Sequence, residues 1–348
     1  MRPALCFRYA SCIAFRAKMG NEVRVREPIS DVVVVGGTST DFVAKASRLP
    51  RSGETICADA FLEGPGGKGA TQAVAAARLG ARVFLISAVG NDRRGRTLVG
   101  QLDRESIRTT YILEKGRADT GASVIHVDKA GEKQIVSVLG ANRFLTAVDV
   151  ERACGRIERA RVVLAQLEVP VEAVTAAFKW ARAIGAKTIL DPAPPVSLQN
   201  SVLAMVDVIK PNAEEAKALT GLPVRDRATA RRAAQMLLDR GVGAVAIQAG
   251  LEGSLLVWRD GEHFFSRIAI DSVDATGAGD AFTGALAAAL ARDKSLVEAV
   301  MFANGAAALA TTKLGAQAGL PKEAQLKEFV SRTTTDETDE TPAEELQA

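Results

Sequence analysis

A run of small residues before a predicted helix is the strongest candidate for a chemical site in the sequence. Residues 274–280 read Asp-Ala-Thr-Gly-Ala-Gly-Asp, and a helical run at 281–291 follows them. The first amides of a helix have no partner within it, and the helix dipole adds about half a positive charge there. The amides at 277–279 therefore predict an anion site. Asp280 beside it could accept a proton from an attacking hydroxyl, which suggests phosphoryl transfer.

A structural explanation of the same segment stays open, because Asp280 could simply cap the helix. Other polar residues favour the chemical explanation, since they also follow predicted strands or open predicted helices. They are Asp41, Gly67, Lys68, Glu168, Asn212 and Glu215. Each alone also has a structural explanation, such as a helix cap at Asn212. Together they predict one site, because the carboxyl ends of parallel strands share one edge of the sheet. A sugar needs such a set of fixed polar partners for its hydroxyls.

The rest of the chain predicts an α/β fold. In its second half, strands and helices alternate, which indicates a doubly wound, mostly parallel sheet with helices on both faces. The valine run at 32–35 predicts a buried strand. Short alternating segments at about 40–63 and 119–140 predict a small antiparallel sheet, which we call the lid. We predict one domain over 31–331 that carries this lid, with its last helix at 297–312.

Composition argues against several classes of protein. The 348 residues are 47% hydrophobic and 24% charged, which is normal for a globular protein. A formal charge of +3 without a basic patch does not indicate nucleic-acid binding, and no apolar run is long enough for a membrane span. The four cysteines lack metal-site spacing and indicate a reducing compartment, so we expect a cytoplasmic protein. With two histidines, the chemistry must use carboxylates, lysine, backbone amides and Mg²⁺.

Two common nucleotide-binding motifs are missing. The strand at 32–35 is not followed by Gly-x-Gly-x-x-Gly, so a NAD-dependent dehydrogenase is not supported. The glycine-rich segment around Lys68 resembles a P-loop, but Gly69 stands where Ser or Thr would hold Mg²⁺.

The two ends of the chain differ from the rest in charge. Residues 1–30 are rich in arginine. We interpret them as a disordered extension, or as a segment upstream of a start at Met19, in preference to a targeting peptide. Residues 332–348 are acidic and predict a disordered tail.

Three motifs together resemble the ribokinase-like (pfkB) family of carbohydrate kinases. They are Gly-Gly-Lys-Gly-Ala at 66–70, Asn-Ala-Glu-Glu at 212–215 and the segment 274–280. The last is a specific signature, and the resemblance covers nearly all of 31–329. It also includes the segments 51–55, 69–77, 140–142, 166–168 (Gln-Leu-Glu), 191–194 (Asp-Pro-Ala-Pro) and 313–317.

The resemblance implies ATP-dependent transfer of a phosphoryl group to the 5-hydroxyl of D-ribose, with Mg²⁺ as the divalent cofactor and K⁺ as a monovalent activator. It implies that Asp280 is the base and that the amides of Gly277, Ala278 and Gly279 form the anion hole. The residues implied to hold the sugar are Ser39, Asp41, Gly67, Lys68, Thr71, Glu168 and Asp280.

The resemblance also implies a nucleotide site and two cation sites. The nucleotide-site positions are Asn212, Gln248, Gly250, Gly253, Gly279 and Asn304. Glu215 is implied to organise Mg²⁺ through water. The neighbourhood of the monovalent cation, bound largely by backbone carbonyls, is implied at Asp274, Thr276, Thr311, Lys313, Gly315 and Gly319. In this family the lids of two subunits often pack against each other, so the resemblance also implies a homodimer.

Three positions depart from the family pattern. Ser39 stands where Asn is frequent, Thr71 replaces an Asn that touches sugar hydroxyls, and Gln248 stands where Thr is common. Ser and Thr reach less far than Asn, and their hydroxyls donate one hydrogen rather than two. A kinase of the same family for 2-deoxyribose, fructose or adenosine therefore remains an alternative. A non-catalytic sugar or nucleotide sensor is a further alternative, although Asp280 and the glycine run are intact.

Overall fold

A computed structural model describes residues 29–129, 131–250 and 252–339. Residues 1–28 and 340–348 lie outside the described part, so the predictions for the N-terminal extension and for the end of the acidic tail lie there too. No described helix is long and apolar enough to cross a membrane.

The described residues form thirteen strands and ten α-helices. The strands are β1 (Val32–Val35), β2 (Ser39–Lys45), β3 (Ala60–Gly66), β4 (Val83–Val89), β5 (Ile112–Glu114), β6 (Gly121–Val127), β7 (Lys133–Val138), β8 (Val162–Gln166), β9 (Lys187–Asp191), β10 (Val208–Ile209), β11 (Ala244–Gln248), β12 (Gly253–Trp258) and β13 (Gly261–Ser266). The helices are α1 (Lys68–Arg78), α2 (Arg93–Arg104), α3 (Ala147–Cys154), α4 (Val171–Ile184), α5 (Asn200–Leu203), α6 (Ala213–Thr220), α7 (Arg227–Asp239), α8 (Ala278–Leu290), α9 (Leu296–Ala310) and α10 (Glu323–Asp339).

The large sheet has nine strands in the order β13-β12-β11-β10-β9-β8-β1-β4-β5. Its strands from β11 to β5 pair in parallel, and β12 and β13 continue it as antiparallel strands. The chain winds outward in both directions from β1, which lies between β8 and β4. This confirms the predicted doubly wound sheet, and the crevice at its switch point is where such folds bind ligands.

Helices cover both faces of the large sheet. In β1, the side chains of Val33 and Val35 join one core cluster and those of Val32 and Val34 join the other, and all four are fully buried. Helices α3, α4, α6 and α7 supply the first cluster, and α1, α8 and α9 supply the second. The continuous valine run is explained by this burial on both faces, because neither face of the strand meets water.

The lid is a four-stranded sheet in the order β3-β2-β6-β7. The pairs β2–β3 and β6–β7 are antiparallel hairpins, but β2 and β6 pair in parallel, so the prediction of a wholly antiparallel lid was wrong. Between β2 and β6 the chain passes through the large sheet, which gives the long crossover that a parallel pair requires. The inner face of the lid packs through Val43, Ile125 and Val127.

The C-terminal region differs from the prediction. The helix expected at 297–312 is α9, but α10 follows it and runs through Asp339. Its Leu326 is fully buried in the core cluster that contains α9. Helix α10 thus continues into the acidic segment, and the disorder predicted from residue 332 stays a prediction.

Candidate active site

The candidate base lies in the first turn of α8. Gly277 is the residue before the helix, with φ 83° and ψ −5°, and no side chain caps it. The carboxylate of Asp280 therefore does not cap α8, so that structural alternative is wrong. A Cβ at Gly277 would lie 2.2 Å from the carbonyl oxygen of Ala316. Only glycine fits this left-handed position, and the first-turn amides are left free of a side-chain cap.

Lys210, which the sequence analysis did not select, adds a positive charge to the anion site. The amide of Ala278 donates to the carbonyl oxygen of Ala275 at 3.3 Å, which leaves the amides of Gly279 and Asp280 as the better phosphate donors. A Cβ at Gly279 would lie 2.8 Å from Nζ of Lys210, so this ammonium group sits directly over the start of α8. Backbone amides and a lysine thus converge on one point, as anion recognition requires.

A second lysine faces the base from α1. Gly67 precedes α1, and the amide of Lys68 donates to Oε2 of Glu168 at 2.7 Å. The ammonium group of Lys68 lies 3.8 Å from Oδ1 of Asp280. Burial opposes the charge of Lys68, yet its pKa is held above the ordinary value by the surrounding carboxylates of Asp280, Asp191, Glu168 and Glu215. Lys68 is therefore a permanent cation among acids.

Asp280, Glu168 and Asp41 have pKa values above those of exposed carboxyl groups. Burial raises the pKa of Asp280, and Asp191 raises it further, against the opposing effect of Lys68. Burial also raises the pKa of Glu168 to about 7 and that of Asp41 to about 6. Perturbed carboxylates in a cleft are typical of catalytic and binding sites.

The predicted sugar-binding residues come from the lid, from the sheet and from α1. Asp41 is buried on lid strand β2, and the hydroxyl of Ser39 donates to its Oδ1 at 3.4 Å. Glu168 follows β8. Thr71 is fully buried, and its hydroxyl accepts a hydrogen bond from the side chain of Gln317 at 3.3 Å. This hydroxyl therefore already has a protein partner.

The predicted nucleotide residues line one pocket of about 380 Å³. It lies between β11, β12 and the helices α8 and α9, and its lining includes Lys210, Asn212, Gln248, Gly250, Gly253, Gly279, Asn304 and Thr311. The side-chain oxygen of Asn304 accepts from the hydroxyl of Ser254 at 3.0 Å, whereas its buried amide nitrogen has no partner among the described residues. An acceptor on an adenine ring would satisfy this donor.

The motif at Asn212 and Glu215 is a helix cap as well as a site element. The side chain of Asn212 accepts from the amide of Glu215 at 2.8 Å, and both carboxylate oxygens of Glu215 accept from Asn212, at 2.9 and 2.8 Å. Within the described part, no group of three or more His, Cys, Asp or Glu could hold a metal ion. These residues fit Mg²⁺ held through water and substrate phosphates, not a protein cage.

The predicted monovalent-cation residues meet in two adjoining loops. Oδ1 of Asp274 accepts from the amide and the hydroxyl of Thr276, at 2.8 and 2.7 Å. Oδ2 accepts from the amide of Gly315 at 2.8 Å, and the Asp274 amide donates to the Thr311 carbonyl at 3.0 Å. The buried carboxylate thus ties the loops together, and carbonyl oxygens are left as the natural cation ligands. Gly319 packs against the carbonyl of Ala310, whereas Lys313 is exposed at the surface.

The sequence pattern of the pfkB family carbohydrate kinases matches residues 29–323. The protein belongs to this family. The chain is 40% identical to mouse (Mus musculus) ribokinase over 306 residues, which cover 86% of this chain and 94% of that protein. It is 33% identical to the deoxyribokinase of Salmonella typhimurium over 302 residues, 86% of this chain and 99% of that protein. The structure of Arabidopsis thaliana ribokinase with ribose and ATP has a TM-score of 0.76 at 30% identity, covering 86% of this chain and 99% of that one.

The sequence analysis assigned no site function to four residues near Asp280, although three of them lie in the segments that carry the family resemblance. Lys210 follows β10 directly, so the rule that sites lie at strand ends could have found it. Gln72 lies one helical turn after Lys68, on the same face of α1. Gln166 and Asp191 are the last residues of β8 and β9. The side chains of Gln72, Gln166 and Asp191 are fully buried.

Proposed function

We propose that the protein transfers the γ-phosphoryl group of ATP to the 5-hydroxyl of D-ribose. The observation that carries the proposal is the position of Asp280. Its carboxylate lies in the first turn of α8, next to Gly279 of the nucleotide pocket. It is close enough to Asp41 and Glu168 to raise their pKa values, and Lys68 lies beside it. Similarity to proteins named ribokinase, which covers most of this chain, supports the choice of sugar.

The chain's own groups divide the work of the reaction. Asp280 accepts the proton of the sugar hydroxyl while the hydroxyl oxygen bonds to the γ-phosphorus, and the bond from this phosphorus to the bridging oxygen of ADP breaks. The amides of Gly279 and Asp280 and the ammonium groups of Lys68 and Lys210 face the charge that develops on the transferring group. Asp41 and Glu168 hold sugar hydroxyls.

Two cations complete the proposal. Mg²⁺ would be held through water by Glu215, and it neutralises charge on the phosphates of ATP. K⁺ would lie beside the two loops that Asp274 joins by hydrogen bonds. The conformation of these loops sets the position of the first turn of α8.

A kinase for 2-deoxy-D-ribose is the second candidate. The chain is 33% identical to a protein named deoxyribokinase, and the Thr71 hydroxyl is already engaged by Gln317. A site that does not bond a given sugar hydroxyl discriminates weakly against the analogue that lacks it.

The decisive experiment is a substrate panel. ADP release by the purified protein would be measured with Mg-ATP and K⁺ against D-ribose, 2-deoxy-D-ribose, D-xylose, D-fructose, adenosine and no sugar. We expect the fastest rate with D-ribose. A faster rate with 2-deoxy-D-ribose would make Thr71 a specificity residue, and no rate with any compound would favour a sensor.

We further propose a homodimer that forms through the lid, and a cytoplasmic location. The outward face of the lid carries four exposed apolar side chains, which are Phe61, Val124, Val136 and Val138. A patch of this kind marks a protein interface. Cys57 and Cys154 are both free thiols, as expected in a reducing compartment.

A further inference from the structure

Three buried polar side chains next to the base have no part in the reaction as proposed above. Gln72, Gln166 and Asp191 are each 0% exposed. They come from α1, from the end of β8 and from the end of β9. Because burying a polar group is costly unless it is hydrogen-bonded, their partners indicate what they do.

Gln72 joins two carboxylates through its amide nitrogen. Its Nε2 lies 2.8 Å from Oδ1 of Asp280 and 2.8 Å from Oδ2 of Asp191. One amide hydrogen is thus available for each carboxylate. These hydrogen bonds to charged groups are among the stronger ones in proteins.

Gln166 fixes the orientation of the Gln72 amide. Nε2 of Gln166 donates to Oε1 of Gln72 at 2.6 Å. If the Gln72 amide were reversed, its oxygen would face two carboxylate oxygens and its nitrogen would face a donor. Only one orientation is therefore compatible with the surrounding groups.

The backbones of α1 and α8 are also fixed at this point. Gly284 lies one turn after Asp280, and a Cβ there would lie 2.5 Å from Cβ of Ala75 and 2.6 Å from the carbonyl oxygen of Gln72. The helix that carries Gln72 therefore touches the helix that carries the base.

Both donors from α1 reach the same oxygen of the base. Lys68 lies 3.8 Å from Oδ1 of Asp280 and Gln72 lies 2.8 Å from it, whereas Oδ2 has no hydrogen bond to any described residue. We propose that Gln72, oriented by Gln166, is a positioning residue that holds Oδ1 and leaves Oδ2 to accept the proton of the sugar hydroxyl. This inference rests on the proposed function of Asp280 as base.

The test replaces Gln72 by Met, which keeps the length of the side chain and removes the amide. We expect the Gln72→Met variant to lower kcat by about tenfold to a hundredfold, as for loss of one hydrogen bond to a charged group. KM for sugar and ATP should change by less than about threefold, because neither substrate loses a contact. Gln166→Met should change kcat in the same direction and by less, and it carries the test if Gln72→Met fails to fold.

The pH dependence of kcat also tests the role of Gln72, because it would not change if Gln72 only stabilised the fold. Gln72 lowers the pKa of Asp280, so its loss should shift the acidic limb of kcat to higher pH. The charged groups that face Asp280 are unchanged in these variants; they are Lys68, Lys133, Lys210, Asp191, Asp41 and Glu168. Val74→Ala is the matched control, since Val74 is a fully buried residue of α1 that is not part of this hydrogen-bonded group.

Crystal structures of the wild type and Gln72→Met separate this inference from the proposed function. We expect the Asp280 carboxylate to turn in the variant. A variant with wild-type kcat and pH profile, or with an unmoved carboxylate, overturns the inference alone. An inactive wild type would overturn the proposed function, and the carboxylate orientation would still decide the positioning role.

Discussion

Asp280 is a buried carboxylate whose surroundings act on its pKa in opposite directions. Burial and Asp191 raise the pKa, while Lys68, Gln72 and Lys210 lower it. The net effect is a pKa above the ordinary value, which makes this carboxylate a better proton acceptor than an exposed aspartate. It must nevertheless be ionised to act, so activity is expected to fall as the pH drops through this raised pKa.

Replacing the base tests its role directly. Asp280→Asn should retain ATP binding and the fold but lower kcat by about a hundredfold or more, because an amide cannot accept the proton. Steady-state kinetics and nucleotide titration would measure the two effects. Asp260→Asn, in the exposed β12–β13 turn, is the control and should be fully active. Near wild-type turnover in Asp280→Asn would remove the base assignment.

Glu168 should make the protein less stable as the pH rises. Its pKa is about 7 in the folded state against an ordinary 4.5. Below pH 4.5 the Glu168 carboxyl group is protonated in both the folded and the unfolded protein, so it does not make the free energy of unfolding depend on pH. Between pH 4.5 and 7 the folded protein binds more protons than the unfolded protein, so the free energy of unfolding falls as the pH rises. Above pH 7 Glu168 is ionised in both states, and the loss of stability is complete.

Glu168→Gln should therefore stabilise the protein at pH 8 by about 1–2 kcal/mol and give no gain at pH 4. Urea unfolding at both pH values would measure this. Glu172→Gln, at the exposed start of α4, is the matched control and should change the free energy of unfolding at pH 8 by less than about 0.5 kcal/mol. A Glu168→Gln variant that is equally stabilised at both pH values would contradict the assigned shift.

Among single residues, the sequence predicted most of those that follow strands or stand beside glycines, although it missed Lys210. It also missed the residues whose role depends on distance across the fold. Asp280 and Lys68 stand beside glycines, where a motif makes them visible. Gln72 reaches Asp280 over 208 positions of the chain and Asp191 over 119. No local pattern gives such separations, because they follow from the packing of α1 against α8 and the sheet.

Among the structural elements, the loops tied by Asp274 set the start of α8. If K⁺ binds carbonyls there, it should order the first turn of the helix and so raise kcat. We expect faster turnover in K⁺ than in Na⁺ at equal ionic strength, measured with saturating ATP and sugar. Equal rates in the two salts would count against a cation site at these loops.

The contact between α1 and α8 depends on Gly284. Glycine inside a helix normally costs about 1 kcal/mol relative to alanine. Here the added Cβ would meet Cβ of Ala75 at 2.5 Å, so Gly284→Ala should destabilise the protein in urea unfolding and lower kcat.

Gly100→Ala on α2 is the matched control for this contact. A Cβ there meets only an Arg104 side-chain nitrogen at 3.8 Å. This substitution should stabilise the protein by up to about 1 kcal/mol. Stabilisation of equal size in Gly284→Ala would show that the two helices can separate without cost.

Most of the large sheet could be predicted, because its strands are continuous apolar runs and its helices have clear periodicity. Helix α4 is one of the alternating helices expected in the second half, and its buried residues recur at helical spacing. Helix α3 was missed although Thr146 and Asp149 form a capping box. The parallel β2–β6 pair could not be inferred, since an alternating pattern is the same in either strand direction.

For the whole molecule, the lid carries Asp41, which we expect to hold the sugar, and it is also the part that we expect to join two subunits. Val136→Asp would place a charge on its outward apolar face, where Val136 is 69% exposed. We expect this variant to become monomeric in light scattering. Met236→Asp, at an exposed site on α7, should leave the dimer intact. A wild type that is monomeric at all concentrations would overturn the proposed dimer.

The contact between Ala75 and Gly284 also restricts how this sequence can change over evolutionary time. Neither position can accept a larger side chain while the other keeps its present size, and glycine leaves nothing to remove. A Cβ at 284 would also lie 2.6 Å from the carbonyl oxygen of Gln72, and no substitution at position 75 removes that contact. We therefore expect position 284 to remain glycine among the descendants of this sequence.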